Sequence, residues 1–268
     1  MKTNVLLVLF VFSVSKISWG QPDPSRLLLV KYDFTIQRDT ADANAKRFTD
    51  IMTLDIGKTE IRFYSYLNHL GMVDYEKQSN PTISGSTVSV STIRAFADKE
   101  SEVIKIYPEA RIYKVYDWIS KRPHYYQDSL TIPEWVLWPD TATILNELCQ
   151  KATTFYRGRN IIAWFSKNIP LQQGPWLFSG LPGLIMKVED TRNQFSFVCR
   201  ELIAKPEKEP AYAEYESPEK ISKELALKRK RLYIEDPLTS HQLEWGVTIS
   251  YGGNKPQKKR PYNPIDLQ

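Results

Sequence analysis

The chain of 268 residues holds two cysteines, three histidines and four methionines. Two cysteines cannot build the disulfide-dense scaffold of a small secreted domain. They leave one pair, Cys149 and Cys199, which is either a single bridge formed in an oxidising compartment or two buried thiols that act as small hydrophobes. His69, His124 and His241 stand far apart in the sequence. That spacing argues against a metal site built from His and Cys, and each is expected at a surface or boundary position. There is no GxSxG, HExxH, CxxC, P-loop or GxGxxG pattern, so the sequence signatures of several hydrolase, nucleotide and redox chemistries are missing. Paired carboxylates can cleave glycosides, but adjacent residues on a strand face opposite sides. Glu189-Asp190 therefore reads as the start of a turn. No catalytic residue, metal or cofactor is expected.

Long apolar runs are also scarce. Val5 to Val14 is almost wholly apolar, follows Lys2, and precedes Ser18-Trp19-Gly20. That layout is a secretory signal peptide with cleavage after Gly20, and the run is too short to span a bilayer, which takes about 20 residues. The expected organisation is residues 1–20 as signal peptide, 21–254 as one domain, and 255–268 as a basic, proline-containing tail with a loose conformation. The mature chain carries no transmembrane segment in this reading and is exported, to the periplasm or beyond. Its charge is modest: the formal net charge of +5 falls to +3 once Lys2 and Lys16 are removed. Nucleic-acid binding needs a more concentrated basic face. Lys228-Arg229-Lys230-Arg231 and residues 255–260 are read as solvated basic surface.

Aromatics are plentiful, with 15 Tyr, 11 Phe and 7 Trp, and they favour strands. Alternating or apolar runs mark strands at 26–36, 46–55, 60–67, 102–107, 111–116, 124–130, 149–156, 161–165, 184–188 and 195–202. Arg157-Gly158-Arg159 is a hairpin turn between two of them. Segment 67–78 is a short helix or irregular arm, and 79–91 a surface loop. Pro218 to Leu232 is the longest expected helix, opened by its proline.

Gly174-Pro175-Trp176 and Gly180-Leu181-Pro182-Gly183-Leu184-Ile185 lie just before the strand at 184–188. Glycines accept positive φ and Pro182 fixes the chain between them. Leu181, Leu184 and Ile185 add apolar anchors. Nothing in the hexapeptide donates a proton or attacks a carbon, so its role is structural. Trp135, Trp138, Trp164 and Trp176 crowd the same region.

The hexapeptide resembles the one that names the GLPGLI family of exported Bacteroidota proteins. Further similarities run in order: Trp138-Pro139-Asp140, Cys149-Gln150-Lys151-Ala152, Arg157-Gly158-Arg159, Ala163-Trp164-Phe165, Ile169-Pro170, Gly174 to Phe178, and the ending Tyr262 to Leu267. One departure is Asn146-Glu147 where members often have Gly-Tyr. Asn tolerates the left-handed conformation, so the turn survives. The resemblance brings no catalytic residues. It implies a cell-envelope role, with association to TonB-dependent transporters. A weaker likeness is to periplasmic lipoprotein-carrier half-barrels.

These readings predict a mainly β protein: one strongly curved antiparallel sheet, an open half-barrel, with one or two covering helices. The expected function is non-enzymatic, binding an apolar, lipid-like ligand, with Trp138, Trp164, Phe165 and Phe178 as the expected lining. The alternative is an accessory protein that binds an outer-membrane protein partner and no small ligand.

Overall fold

The computed structural model describes residues 25–42, 44–69, 102–117, 123–204, 206, 217–246 and 259–267. The signal-peptide reading, the 79–91 loop and most of segment 67–78 lie outside them. The described strands form a single twelve-stranded sheet. Its first half is a meander: β1 (Arg26–Ile36), β2 (Phe48–Gly57), β3 (Ile61–Ser65), β4 (Val103–Tyr107), β5 (Ile112–Asp117) and β6 (His124–Ser129). Its second half is β7 (Val136–Ile144), β8 (Glu147–Tyr156), β9 (Arg159–Ser166), β10 (Leu184–Asp190) and β11 (Phe195–Ala204). The two halves join where β1 pairs antiparallel with β11, so the order runs β12-β6-β5-β4-β3-β2-β1-β11-β10-β9-β8-β7. The two-residue β12 (Glu219–Lys220) lies parallel to β6, and every other pair is antiparallel.

This order forces the sheet to curl. In a flat sheet β6 and β7 would stand ten strand spacings apart, about 48 Å. The chain joins Ser129 to Val136 through residues 130–135, and a segment of that length reaches at most about 24 Å. The edges must therefore approach each other. Tyr156 Oη donates to Thr131 O at 2.8 Å and Trp135 Nε1 to Ser179 O at 2.8 Å, holding the connection against the second half.

Alternation along the strands sets the inside of the curve. Phe63, Ile104, Val115 and Tyr126 sit directly opposite one another across β3–β6. All four are buried. Phe34 and Phe197 are partners across the β1–β11 seam, with rings stacked at 4.6 Å. The core continues through Phe195, Phe178, Phe165 and Leu184.

Two helices follow the sheet: α1 (Lys223–Glu235) and α2 (Pro237–Trp245). The first begins later than Pro218. Ser222 is its N-cap, accepting from Leu225 N, because Glu219–Lys220 are held in extended pairing with His124 and Tyr125. A hydroxyl at this position satisfies an otherwise open helix N–H. Helix α1 lies over β4–β6: Lys223 Nζ is 2.8 Å from Asp128, and Lys230 Nζ is 2.6 Å from Glu102.

Candidate functional site

Between the concave face, α1 and residues 262–267 lies a cavity of about 610 Å³. The volume falls within the range of small-molecule sites. Phe34, Met52, Phe63, Ile104, Val115 and Phe197 form its apolar floor. Leu227, Lys228 and Ile234 of α1 form one wall, while Trp176 and Leu177 close another side. Tyr262, Pro264, Ile265 and Leu267 complete the enclosure.

The tail expected to be loose is instead bolted down over its described part, residues 259–267. The Arg157-Gly158-Arg159 hairpin does this. Tyr156 pairs with Arg159, leaving a two-residue turn with φ of 47° at Arg157 and 79° at Gly158. These are the positive values of the turn that suits the twist of a hairpin. A Cβ on Gly158 would meet Leu267 Cβ at 2.9 Å, so glycine lets the tail lie flat on the turn. Leu267 N donates to Arg157 O at 3.2 Å.

Arg159 provides the main bolt. Its guanidinium donates to Ile265 O at 3.0 Å, Asn263 Oδ1 at 2.7 Å and Pro264 O at 2.6 Å. It also donates to Gln194 Oε1 and Asp190 Oδ2, each at 2.8 Å. Asn263 Nδ2 reaches on to Gln37 O at the end of β1. Arg157 pairs with Asp266 and lies over the rings of Tyr113, Tyr156 and Trp176. The planar fork of arginine satisfies several acceptors at once, which suits it to a buried junction.

Asp190 is the turn residue read from the sequence. Its Oδ1 accepts from Gln194 N at 2.6 Å and Phe195 N at 3.2 Å. Glu189 instead pairs with Lys187 at 2.9 Å. The two neighbouring carboxylates thus serve different partners.

The Gly-Leu-Pro segment is structural in the same sense. Leu184 N bonds Ile169 O and Ile185 N bonds Gln173 O, each at 2.9 Å. Tyr32 Oη, at the centre of β1, donates to Ile185 O at 2.8 Å. Gly183 packs so closely on β9 that a Cβ there would stand 2.0 Å from Ser166 O. Gly180 takes φ 91°, and Gly174 lies against Ile185. Leu181 is buried, while Pro182 is exposed. Pro175 O accepts from Phe178 N, and Trp176 is held at φ 56°. A bulky residue in the left-handed region is strained. Here Trp176 is braced by Tyr156 and Phe178, at ring distances of 6.3 and 5.3 Å.

The expected lining is displaced. Phe165 and Phe178 are buried in the core and do not border the cavity. Trp164 packs partly buried against that core. Trp138 is 45% exposed on β7, with Nε1 donating to Thr153 Oγ1. The cavity takes Trp176 in their place. Its remaining lining comes largely from the first meander and α1, which carry no compact sequence motif. The register of Phe63, Ile104, Val115 and Tyr126 was implicit in strand alternation but required the pairing order to emerge.

The cysteines are free and buried, on β8 and β11 with two strands between them. No bridge joins them, and the strands that carry them are not neighbours. Burial, with Glu147 nearby, raises the Cys149 thiol to about 11; burial, with Cys149 nearby, raises Cys199 to about 12. His69 and His124 are buried and not at the boundary. Burial lowers both, aided at His69 by Arg26 and at His124 by Arg229. Among the described residues no three His, Cys, Asp or Glu side chains converge as a metal site. No described helix is long and apolar enough to cross a membrane.

Residues 155–187 match the family described as "Protein of unknown function (Porph_ging)". The matched stretch contains the Arg157-Gly158-Arg159 hairpin and the Gly180 to Ile185 hexapeptide. No curated protein matches the sequence. Among solved structures the chain is similar to PNGF-II in a C2 crystal form, with 13% identity and a TM-score of 0.48 over 76% of this chain and 32% of that one. A P21 form of PNGF-II gives 12% identity and a TM-score of 0.47 over 76% and 33%. The chain spans about a third of the length of those proteins.

Proposed function

We propose that this protein is a non-enzymatic, exported envelope protein that holds an apolar, lipid-like molecule between its concave sheet and α1. The observation that carries this reading is the cavity of about 610 Å³ with a floor of Phe, Met, Ile and Val. Removing a twelve-carbon chain from water into such a floor contributes roughly 10 kcal/mol before the cost of association. Of the polar groups lining the cavity, Asn263 and Asp266 are held by Arg159 and Arg157, and Glu102 pairs with Lys230. Export rests on the apolar run at Val5 to Val14 and the Gly20 cleavage pattern. The similarity to the GLPGLI family supports an envelope setting.

Native mass spectrometry of protein purified gently from an expressing Gram-negative periplasm tests this. A reproducible adduct removed by organic extraction supports it. A clean apo mass, together with no binding of dodecyl or tetradecyl probes, overturns it.

A second reading is attachment to an outer-membrane protein partner. Leu137 and Trp138 on β7, with Leu148 and Phe155 on β8, are exposed beside an edge strand. Open edges and apolar patches recruit other chains. Crosslinking in intact cells that captures one outer-membrane protein, lost in Phe155→Ser, supports this second reading.

A further inference from the structure

The cavity is apolar below and cationic at its helical wall. Helix α1 carries five cations. Lys223 pairs with Asp128, Arg229 with Glu244, Lys230 with Glu102 and Arg231 with Glu235. Lys228 has no acidic partner among the described residues, and it is the one of the five that borders the cavity unpaired. The two acids bordering the cavity are already engaged, Glu102 by Lys230 and Asp266 by Arg157.

A second observation points the same way. Tyr126 ends the floor row Phe63, Ile104, Val115, Tyr126, and its hydroxyl has no hydrogen-bond partner among the described residues. Burial, with Glu102 beside it, keeps this phenol protonated, so it can donate to an anion. A free donor and a free cation thus border one apolar cavity whose own acids are neutralised.

We infer that the ligand is a single-chain amphiphile with an anionic head, its head received by Lys228 and Tyr126 and its chain lying over Phe63, Met52 and Phe34. This rests on the ligand-binding reading above. A carboxylate and a phosphate head share the chemistry, since each accepts hydrogen bonds from an ammonium and a phenol.

The test is calorimetric titration of the purified protein with four probes: myristate, a lysophosphatidylglycerol, the uncharged monomyristoylglycerol, and inorganic phosphate. Anionic amphiphiles are expected to bind at least tenfold more tightly than the neutral one at low salt, with the ratio shrinking at 0.5 M NaCl as screening shortens the reach of charge. Phosphate alone should not bind measurably. Lys228→Gln and Tyr126→Phe should each cut the anionic-to-neutral ratio at least threefold. Myristate against lysophosphatidylglycerol separates a fatty-acid source from a phospholipid one. Equal binding of neutral and anionic probes would overturn the headgroup assignment while leaving the apolar reading standing. No binding by any amphiphile would overturn both, and binding of phosphate as tight as that of the amphiphiles would show a head site without a chain site.

Discussion

Arg159 Nη1 lies 2.8 Å from Asp190 Oδ2, and each side chain is only 2–3% exposed. This pair joins the start of β9 to the end of β10, and the rest of the guanidinium reaches the chain's final residues. Removing one partner from a buried pair strands the other charge. Asp190→Ala is therefore expected to lower stability by about 3–5 kcal/mol, read as a reduced urea midpoint with an unchanged slope. Replacing both partners at once, as Arg159→Met with Asp190→Leu, should cost less than the single change. A double variant weaker than Asp190→Ala would show that the hydrogen bonds to residues 263–265 matter more than the stranded charge.

Gly183 and Gly246 offer a matched contrast. Both have positive φ, but a Cβ on Gly183 meets Ser166 O at 2.0 Å while one on Gly246 meets nothing within 4 Å. Gly246→Ala should cost about 1 kcal/mol, the ordinary penalty of the left-handed cap. Gly183→Ala must push β9 away from the turn and is expected to exceed about 4 kcal/mol. Thermal melts of the two variants check this, and equal losses would show that the turn relaxes around the added methyl.

The thiols give a chemical readout of the fold. With Cys199 raised to about 12 and Cys149 to about 11 by burial, neither forms appreciable thiolate at pH 8. Native protein is expected to react slowly with a disulfide reagent, and protein in guanidinium to release two equivalents at once. Zero equivalents after denaturation without reductant would reveal a bridge.

Stability should fall on mild acidification. His124 is buried with Asp117, Glu219, Glu244 and Arg229 around it, and burial lowers its folded pKa below 6.5. Above about pH 6.5 both folded and unfolded forms are neutral, and the group contributes nothing. As the pH drops past that value the unfolded chain takes up the proton first, so it gains relative to the fold. His124→Asn is expected to flatten the urea midpoint between pH 7.5 and 5.5, with His69 supplying the slope that remains, since burial lowers it too. An identical pH profile in the variant would rule His124 out as the source.

The strands were legible because alternation is local. The alternation of residues 26–36 coincides with β1, and the turn at Asp190 follows from its side-chain chemistry. The curved half-barrel is what the likeness to lipoprotein-carrier half-barrels implied, and the covering helix followed from the apolar spacing after Pro218. What could not be read locally was which residues meet. Trp138, Trp164, Phe165 and Phe178 are large and cluster in sequence, but strand parity and the approach of the hexapeptide sent them to the outer face or the core. Tyr126 and Lys228 look ordinary in sequence. They acquire meaning only because β6 and α1 face one cavity. The tail misled through composition: proline and charge suggest looseness, while its anchoring depends on Arg157 and Arg159 about a hundred residues earlier. Ser222 outcompeted Pro218 as the helix start because β12 pairs with β6 first.

Residues 130–135 act as a hasp across the mouth of the curled sheet. Where the segment joins them, the end of β6 and the start of β7 cannot part by more than its reach, about 24 Å. The gape therefore has a mechanical stop. Opening at that end is thus limited by the chain itself, without any bond between β6 and β7.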